Sequence, residues 1–171
     1  MTARDMFVIF FYATVAIGSI IMLVWLSRGP FFVPTRQKYV PRIIAMLDIK
    51  SGEKIVDLGS GDGRLLIAIA QAGGEAYGYE HNPILVWRSR HAARRLGLDG
   101  KIIISRSNFW KEDVSSYNAA VIYGIPYIMR RLEKKLQREL RPGARVVSYS
   151  FQFPTWEPVK SDRRVYLYRK E

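Results

Sequence analysis

"VDLGSGDGRLL", residues 56–66, is the stretch whose reading decides the fold. An apolar run closes on Asp57, glycines follow at the alternate positions 59, 61 and 63, and an apolar helical pattern resumes at Leu65. Strand, bare turn and helix follow from that order. Gly59 permits the sharp turn, Gly61 lets backbone approach a ligand, and Gly63 is expected to let the helix pack close to its strand. A dinucleotide fingerprint, G-x-G-x-x-G, would place glycine where this chain has Arg64. The turn is instead compact and preceded by an acid, which suits a ligand that is cationic and carries no pyrophosphate.

Outward from this turn, strands and helices alternate. The strand spans 54–60, and its helix stops at Gly73-Gly74. A second strand covers 76–82, where Asn82 caps a helix with Pro83 at its first position, ending at Gly97. Strands at 101–108 and 118–125 come next. A helix from about residue 127 then carries Leu132, Leu136 and Leu140 and stops at Pro142-Gly143. Two last strands lie at 144–153 and 163–170. This pattern predicts an α/β domain: a doubly wound, mostly parallel sheet with an antiparallel edge. In such a sheet the ligand sits beyond the carboxyl ends of the strands.

S-adenosylmethionine fits that place, because its sulfonium and amino group are positive. Asp57 is predicted to reach the amino end, with Gly59, Ser60, Gly61 and Gly63 around the methionine moiety. Glu80 closes the second strand, 23 positions after Asp57, where an acid can accept both ribose hydroxyls. His81 beside it faces adenine or solvent. Asn108 and Phe109, after the third strand, are placed to meet the adenine. A nicotinamide or flavin domain, or a fold with no cofactor, is the alternative for the glycines alone. A solvated strand-end residue is the alternative for Glu80 or Asn108 alone.

These residues resemble the class I S-adenosylmethionine-dependent methyltransferases. "FFVPTR" (31–36), "VDLGSGDGR" (56–64) and "LEKKLQRELRPGARVVSYSFQFPTWEP" (132–158) look closer still to one group within them. That group is the small seven-strand protein-lysine methyltransferases typified by mitochondrial enzymes acting on the ATP synthase c-subunit and the adenine nucleotide translocase. The resemblance covers about residues 30–171, and "FPTWEP" is its least generic part. It implies methyl transfer to a lysine ε-amine, which must be neutral to attack although its free pKa is about 10.4. Tyr123 and Tyr127, flanking Gly124-Ile125-Pro126, are placed to orient that amine, or else pack at the sheet edge. "YGIPY" lacks the polar Asn/Asp-Pro-Pro turn of enzymes that grip nucleobase amines or glutamine, so an aliphatic amine fits better. Pro34 and Thr35 are expected to close over the methionine end, or to form a plain linker turn. Phe153 and Trp156 are expected either to line the lysine channel or to fill the edge of the core.

The rest of the chain sets the location. Residues 7–26, "FVIFFYATVAIGSIIMLVWL", contain no charge. A helix of that length spans about 30 Å, so a transmembrane anchor is expected there. Residues 27–42 form a proline-punctuated connector, and 43–171 the methyltransferase domain. Arg28, Arg36, Lys38 and Arg42 follow the span, which places the domain on the cytoplasmic or matrix-equivalent side of a single-pass membrane protein. Lys+Arg number 27 against 15 Asp+Glu, a net +12. An anionic lipid surface is therefore an expected partner beside a membrane-protein substrate. The basic residues between Arg130 and Arg141 offer either a solvated helix face or a lipid contact. Nucleic acid is less favoured, since aromatics are not interleaved with those charges. No cysteine and only two histidines leave no expected metal site. An RNA methyltransferase and a silent cofactor-binding module on a membrane complex are the competing functions.

Overall fold

The computed structural model describes residues 3–27 and 33–171, with the side chains of 4–20 and 33–171. The chain divides into two units between Val33 and Pro34. The first holds helix α1, Ala3–Ser27. Its apolar side chains Phe7, Phe10, Ile17 and Ile20 are each more than half exposed. Among the described residues, no helix is long and apolar enough to cross a membrane. The second half of the expected span, from residue 21, has its side chains outside the described ones.

The second unit contains the whole sheet. A 3-10 turn at Gln37–Tyr39 leads into α2, Val40–Leu47. Then follow β1 (Lys54–Leu58), α3 (Arg64–Gln71), β2 (Glu75–Glu80), α4 (Pro83–Arg95), β3 (Ile102–Arg106) and β4 (Ala119–Ile122). α5 (Pro126–Glu139), β5 (Arg145–Tyr149), β6 (Lys160–Asp162) and β7 (Val165–Arg169) complete it. The sheet order is β3-β2-β1-β4-β5-β7-β6. The first five strands run parallel, and β7 is antiparallel to both β5 and β6. β6 escapes sequence reading, because its Lys-Ser-Asp is exposed throughout and carries no apolar alternation.

Alternate residues of the central strands feed two cores. Ile55, Val121 and Val147 pack under α2, α3 and α4 on one face. Val56, Ile122 and Val146 pack under α5 on the other. The strand order reverses at β1, between β2 and β4, so the glycine turn emerges where an open α/β sheet forms its crevice.

Candidate active site

Positive φ at Gly59 (97°), Gly61 (55°) and Gly63 (81°) makes this turn costly for any side chain. Its amides are tied to β2, since Gly59 and Ser60 N–H both donate to the Tyr79 carbonyl, at 2.9 and 3.1 Å. A Cβ on Gly59 would meet only open space, whereas one on Gly63 would lie 2.0 Å from Ser89 Oγ. Gly63 therefore admits α4, and the expectation that it serves helix-to-strand packing is corrected. Gly78 in β2 has a matching role that sequence reading missed. A Cβ there would reach within 2.7 Å of Ser60 Oγ, so the turn can lie flat on β2 only over glycine. Ser60, expected among the cofactor residues, directs its buried hydroxyl toward Gly78, and that hydroxyl has no hydrogen-bond partner among the described residues.

Glu80 braces the turn from the end of β2. One carboxylate oxygen accepts Gly61 N–H at 3.0 Å, and the other accepts Asn82 N–H at 2.7 Å. Free lone pairs remain on both oxygens. Asp57 is different. It is 4% exposed, and its carboxyl makes no hydrogen bond among the described residues. Burial, with Glu80 and Asp62 adding their negative charge, pushes its carboxyl up to about 7. Such a group becomes a stable anion when a cation enters beside it. Asp57, Asp62 and Glu80 thus gather negative charge at the glycine turn, which fits the positive charge of a sulfonium amino acid.

Arg64 connects this turn to the chain that precedes the domain. Its guanidinium donates to both Asp62 oxygens, at 3.0 and 2.6 Å, and to the Thr35 carbonyl at 2.6 Å. Those hydrogen bonds hold the Asp62 carboxyl below its ordinary range. Thr35 is buried and Pro34 exposed, so the "VPTR" segment is pinned at the glycine turn. Arg64 is the position at which the motif departs from a dinucleotide fingerprint, and this contact is what the departure supplies.

The remaining expected residues fall into separate groups. Asn108 is exposed beyond β3, its Oδ1 accepting Trp110 N–H at 3.1 Å, with Phe109 half-buried against Trp110. His81 is exposed beside Glu80. Tyr123 stands beyond β4, its ring 4.7 Å from Tyr149 at the end of β5, and Tyr149 meets Tyr39 at 5.0 Å. Burial, then the Tyr123 phenol, holds the Tyr149 hydroxyl above its usual range and neutral. Tyr39 and Tyr149 went unread in the sequence, since nothing local links them to residue 123. Tyr127 is 75% exposed on the first turn of α5. Phe153 and Trp156 do not join the tyrosines. They stack at 5.5 Å in the opposite core, where Phe153 packs on Tyr168 at 4.8 Å.

The comparisons with known proteins point to one family. The family model described as "ANTKMT methyltransferase domain" matches residues 57–160. The rat ATP synthase C-subunit lysine N-methyltransferase is 42% identical over 159 residues, covering 86% of this chain and 73% of that one. The chain belongs to this methyltransferase family. It is an S-adenosylmethionine-dependent N-methyltransferase. The mouse adenine nucleotide translocase lysine N-methyltransferase is 40% identical over 129 residues, covering 75% of this chain and 56% of that one. Among solved structures, an RNA methyltransferase from Salinibacter ruber in complex with S-adenosyl-L-homocysteine superposes with a TM-score of 0.75 at 30% identity. That match covers 81% of this chain and 92% of the other.

Among the described residues, no group of three or more His, Asp or Glu could hold a metal ion.

Proposed function

We propose that this methyltransferase modifies the ε-amine of a lysine in a membrane protein, and that residues 7–26 tether it to the same membrane with the catalytic domain on the cytoplasmic or matrix-equivalent side. The aromatic wall of Tyr39, Tyr123 and Tyr149, beyond the ends of β4 and β5, is the observation that carries the substrate class. An aliphatic amine entering there meets rings and no amide-gripping side chain. The names of the related rat and mouse enzymes, both lysine N-methyltransferases, support the same reading. The uncharged run in the sequence and the exposed apolar side chains of α1 support the tether.

Bound S-adenosylmethionine supplies a methyl group activated by a positively charged sulfur. The chain's own residues do the rest. Asp57 ionises beside the amino group, and Glu80 turns its free lone pairs to the ribose hydroxyls. Gly59, Gly61 and Gly63 leave backbone unobstructed along the methionine moiety. Asn108 and Phe109 flank the adenine with His81 at its rim, while Thr35, pinned by Arg64, closes the methionine end. At the tyrosines, the incoming lysine loses water. Desolvation favours its neutral form, so the amine can shed its proton to solvent at the channel mouth without a dedicated base. Tyr123 orients the lone pair, and Tyr127 stands at the exposed entrance. Holding amine and donor in line is the main catalytic contribution. A tether adds to it by raising the effective concentration of a target in the same plane.

Mass spectrometry tests this directly. The purified full chain, isotopically labelled cofactor and a membrane fraction are expected to yield label on lysine side chains. Label confined to RNA overturns the reading, and the RNA methyltransferase neighbour gives that outcome its weight. Cofactor binding with no transfer to any macromolecule would favour a silent module.

A further inference from the structure

Helix α4 buries Leu85, Val86, Ser89 and Ala93 and turns its other face outward. That face carries Ile84, 67% exposed, and Trp87, 66% exposed, one turn apart. His91 lies a turn further, its ring stacked on Trp87 at 5.6 Å and 12°. Arg88, Arg94 and Arg95 on the helix and Arg106 at the end of β3 stand around them, all exposed. None of these four arginines forms a salt bridge among the described residues, although Arg88 acts on the Asp62 carboxylate and Arg106 is the register partner of Glu80 across β2 and β3. Residues 81–98 contain no Asp or Glu. Trp87, His91, Arg94 and Arg106 line a shallow cleft of about 300 Å³. Its wall is stiffened by Arg90, which donates to the Ile104 carbonyl through Nε and Nη2, at 3.2 and 2.5 Å.

We propose that this face docks on the surface of an anionic phospholipid bilayer, with headgroup phosphates seated between Arg94 and Arg106 and with Ile84 and Trp87 entering the interface. The inference rests on reading the chain as a membrane-associated enzyme, and it names a second point of contact, separate from the N-terminal segment. Charge complementarity selects the occupant: arginines without salt bridges rim an apolar centre, the pattern of surfaces that lie at the headgroup boundary. An indole suits that boundary because it is apolar with one polar edge. A nucleic acid would want an open aromatic face along a phosphate track. Here one face of Trp87 is covered by His91, and Ile84 offers a phosphate nothing.

The chain has no cysteine, so one reporter can be introduced cleanly. Full-length protein carrying Ile84→Cys, labelled with an environment-sensitive fluorophore, is mixed with vesicles of phosphatidylcholine alone or with added phosphatidylglycerol. On the anionic vesicles the emission is expected to shift to the blue, to be quenched by brominated acyl chains, and to revert at high salt. On neutral vesicles it is expected to stay that of solvent. Arg94→Glu combined with Arg106→Glu should raise the anionic lipid needed for the shift by about tenfold or more, while methyl transfer to a soluble lysine peptide persists. A label at Arg138→Cys on α5 should stay in water throughout. The same emission at residue 84 on both kinds of vesicle overturns the proposal, as does a shift produced by RNA without lipid. Failure of the full chain to float with neutral vesicles speaks against the N-terminal tether alone, and the anionic arm still reads α4.

Discussion

Asp57 is a carboxyl group shut away from water beside two other acids, with no donor among the described residues to satisfy it. Its carboxyl lies near 7 in the folded chain against an ordinary value of 3.8, so between those limits the native state holds a proton that the unfolded state has released. Native protein then binds more protons than unfolded, and stability falls as pH rises through that window, by at most about 1.4 kcal/mol per pH unit. Above it both states are ionised and the slope vanishes. A cationic cofactor reverses the preference, so binding below pH 7 must expel the proton. The expected outcome is cofactor affinity that rises with pH up to about 7 and then levels, accompanied by proton release. Calorimetry in buffers of different ionisation enthalpy measures both. Asp57→Asn should bind more weakly and lose the pH dependence; retention of that dependence in the variant would remove Asp57 from the site.

Elements decide what a conspicuous residue is for. The basic residues of α5, read from the sequence as a solvated or lipid-facing stripe, are partly spent inside the fold. Lys135 is 6% exposed and donates to the Glu112 carbonyl and to Glu139, at 2.6 and 2.5 Å. The Arg131 guanidinium covers the Trp110 ring at 4.2 Å. Glu133, also buried, accepts the Thr155 hydroxyl at 2.6 Å and so fastens the segment after β5 to α5. "FPTWEP" is held in place by that clamp and by Phe153 N–H donating to the Tyr168 hydroxyl at 3.2 Å. This is the environment of a core residue. Phe153→Ala is expected to cost about 3–5 kcal/mol in urea unfolding and to leave KM for a lysine peptide within a few-fold. Tyr123→Phe and Tyr127→Ala, by contrast, should lower kcat with little change in unfolding. A raised KM in the Phe153 variant at unaltered stability would return that ring to the substrate channel.

For the molecule as a whole, charge and apolar surface act at different ranges. Residues 1–26 hold one Arg and one Asp, so the +12 belongs to the remainder. The unit from Pro34 contains every strand and both cores. A chain beginning at Pro34 is expected to melt as one cooperative transition and to bind anionic vesicles only at low ionic strength. Salt shortens the screening length from about 10 Å at 0.1 M to about 3 Å at 1 M, which should wash it off. The full chain should stay bound at high salt, because burial of an apolar helix is not screened. Vesicle flotation across a salt series separates the two, and equal release of both chains would leave the N-terminal segment without an anchoring role.

The sequence by itself determined the class of the sheet, its mostly parallel character with an antiparallel edge, and the chemistry expected beyond β1. Those features rest on local rules: apolar period, glycine where φ is positive, proline and asparagine at a helix start, an acid at a strand end. Asn82 illustrates it, accepting Ile84 N–H at 2.9 Å from the cap position the sequence assigns it. Tertiary structure alone decided which side chains meet across the fold. It joined Tyr39 to Tyr149 and Tyr123, seated Gly63 under Ser89, turned Phe153 toward Tyr168, and buried Lys135 of α5 while leaving the arginines of α4 facing out. Each of these depends on contacts between residues far apart in the chain, whose pairing is set by sheet order and by the faces the strands present, and no local pattern encodes it.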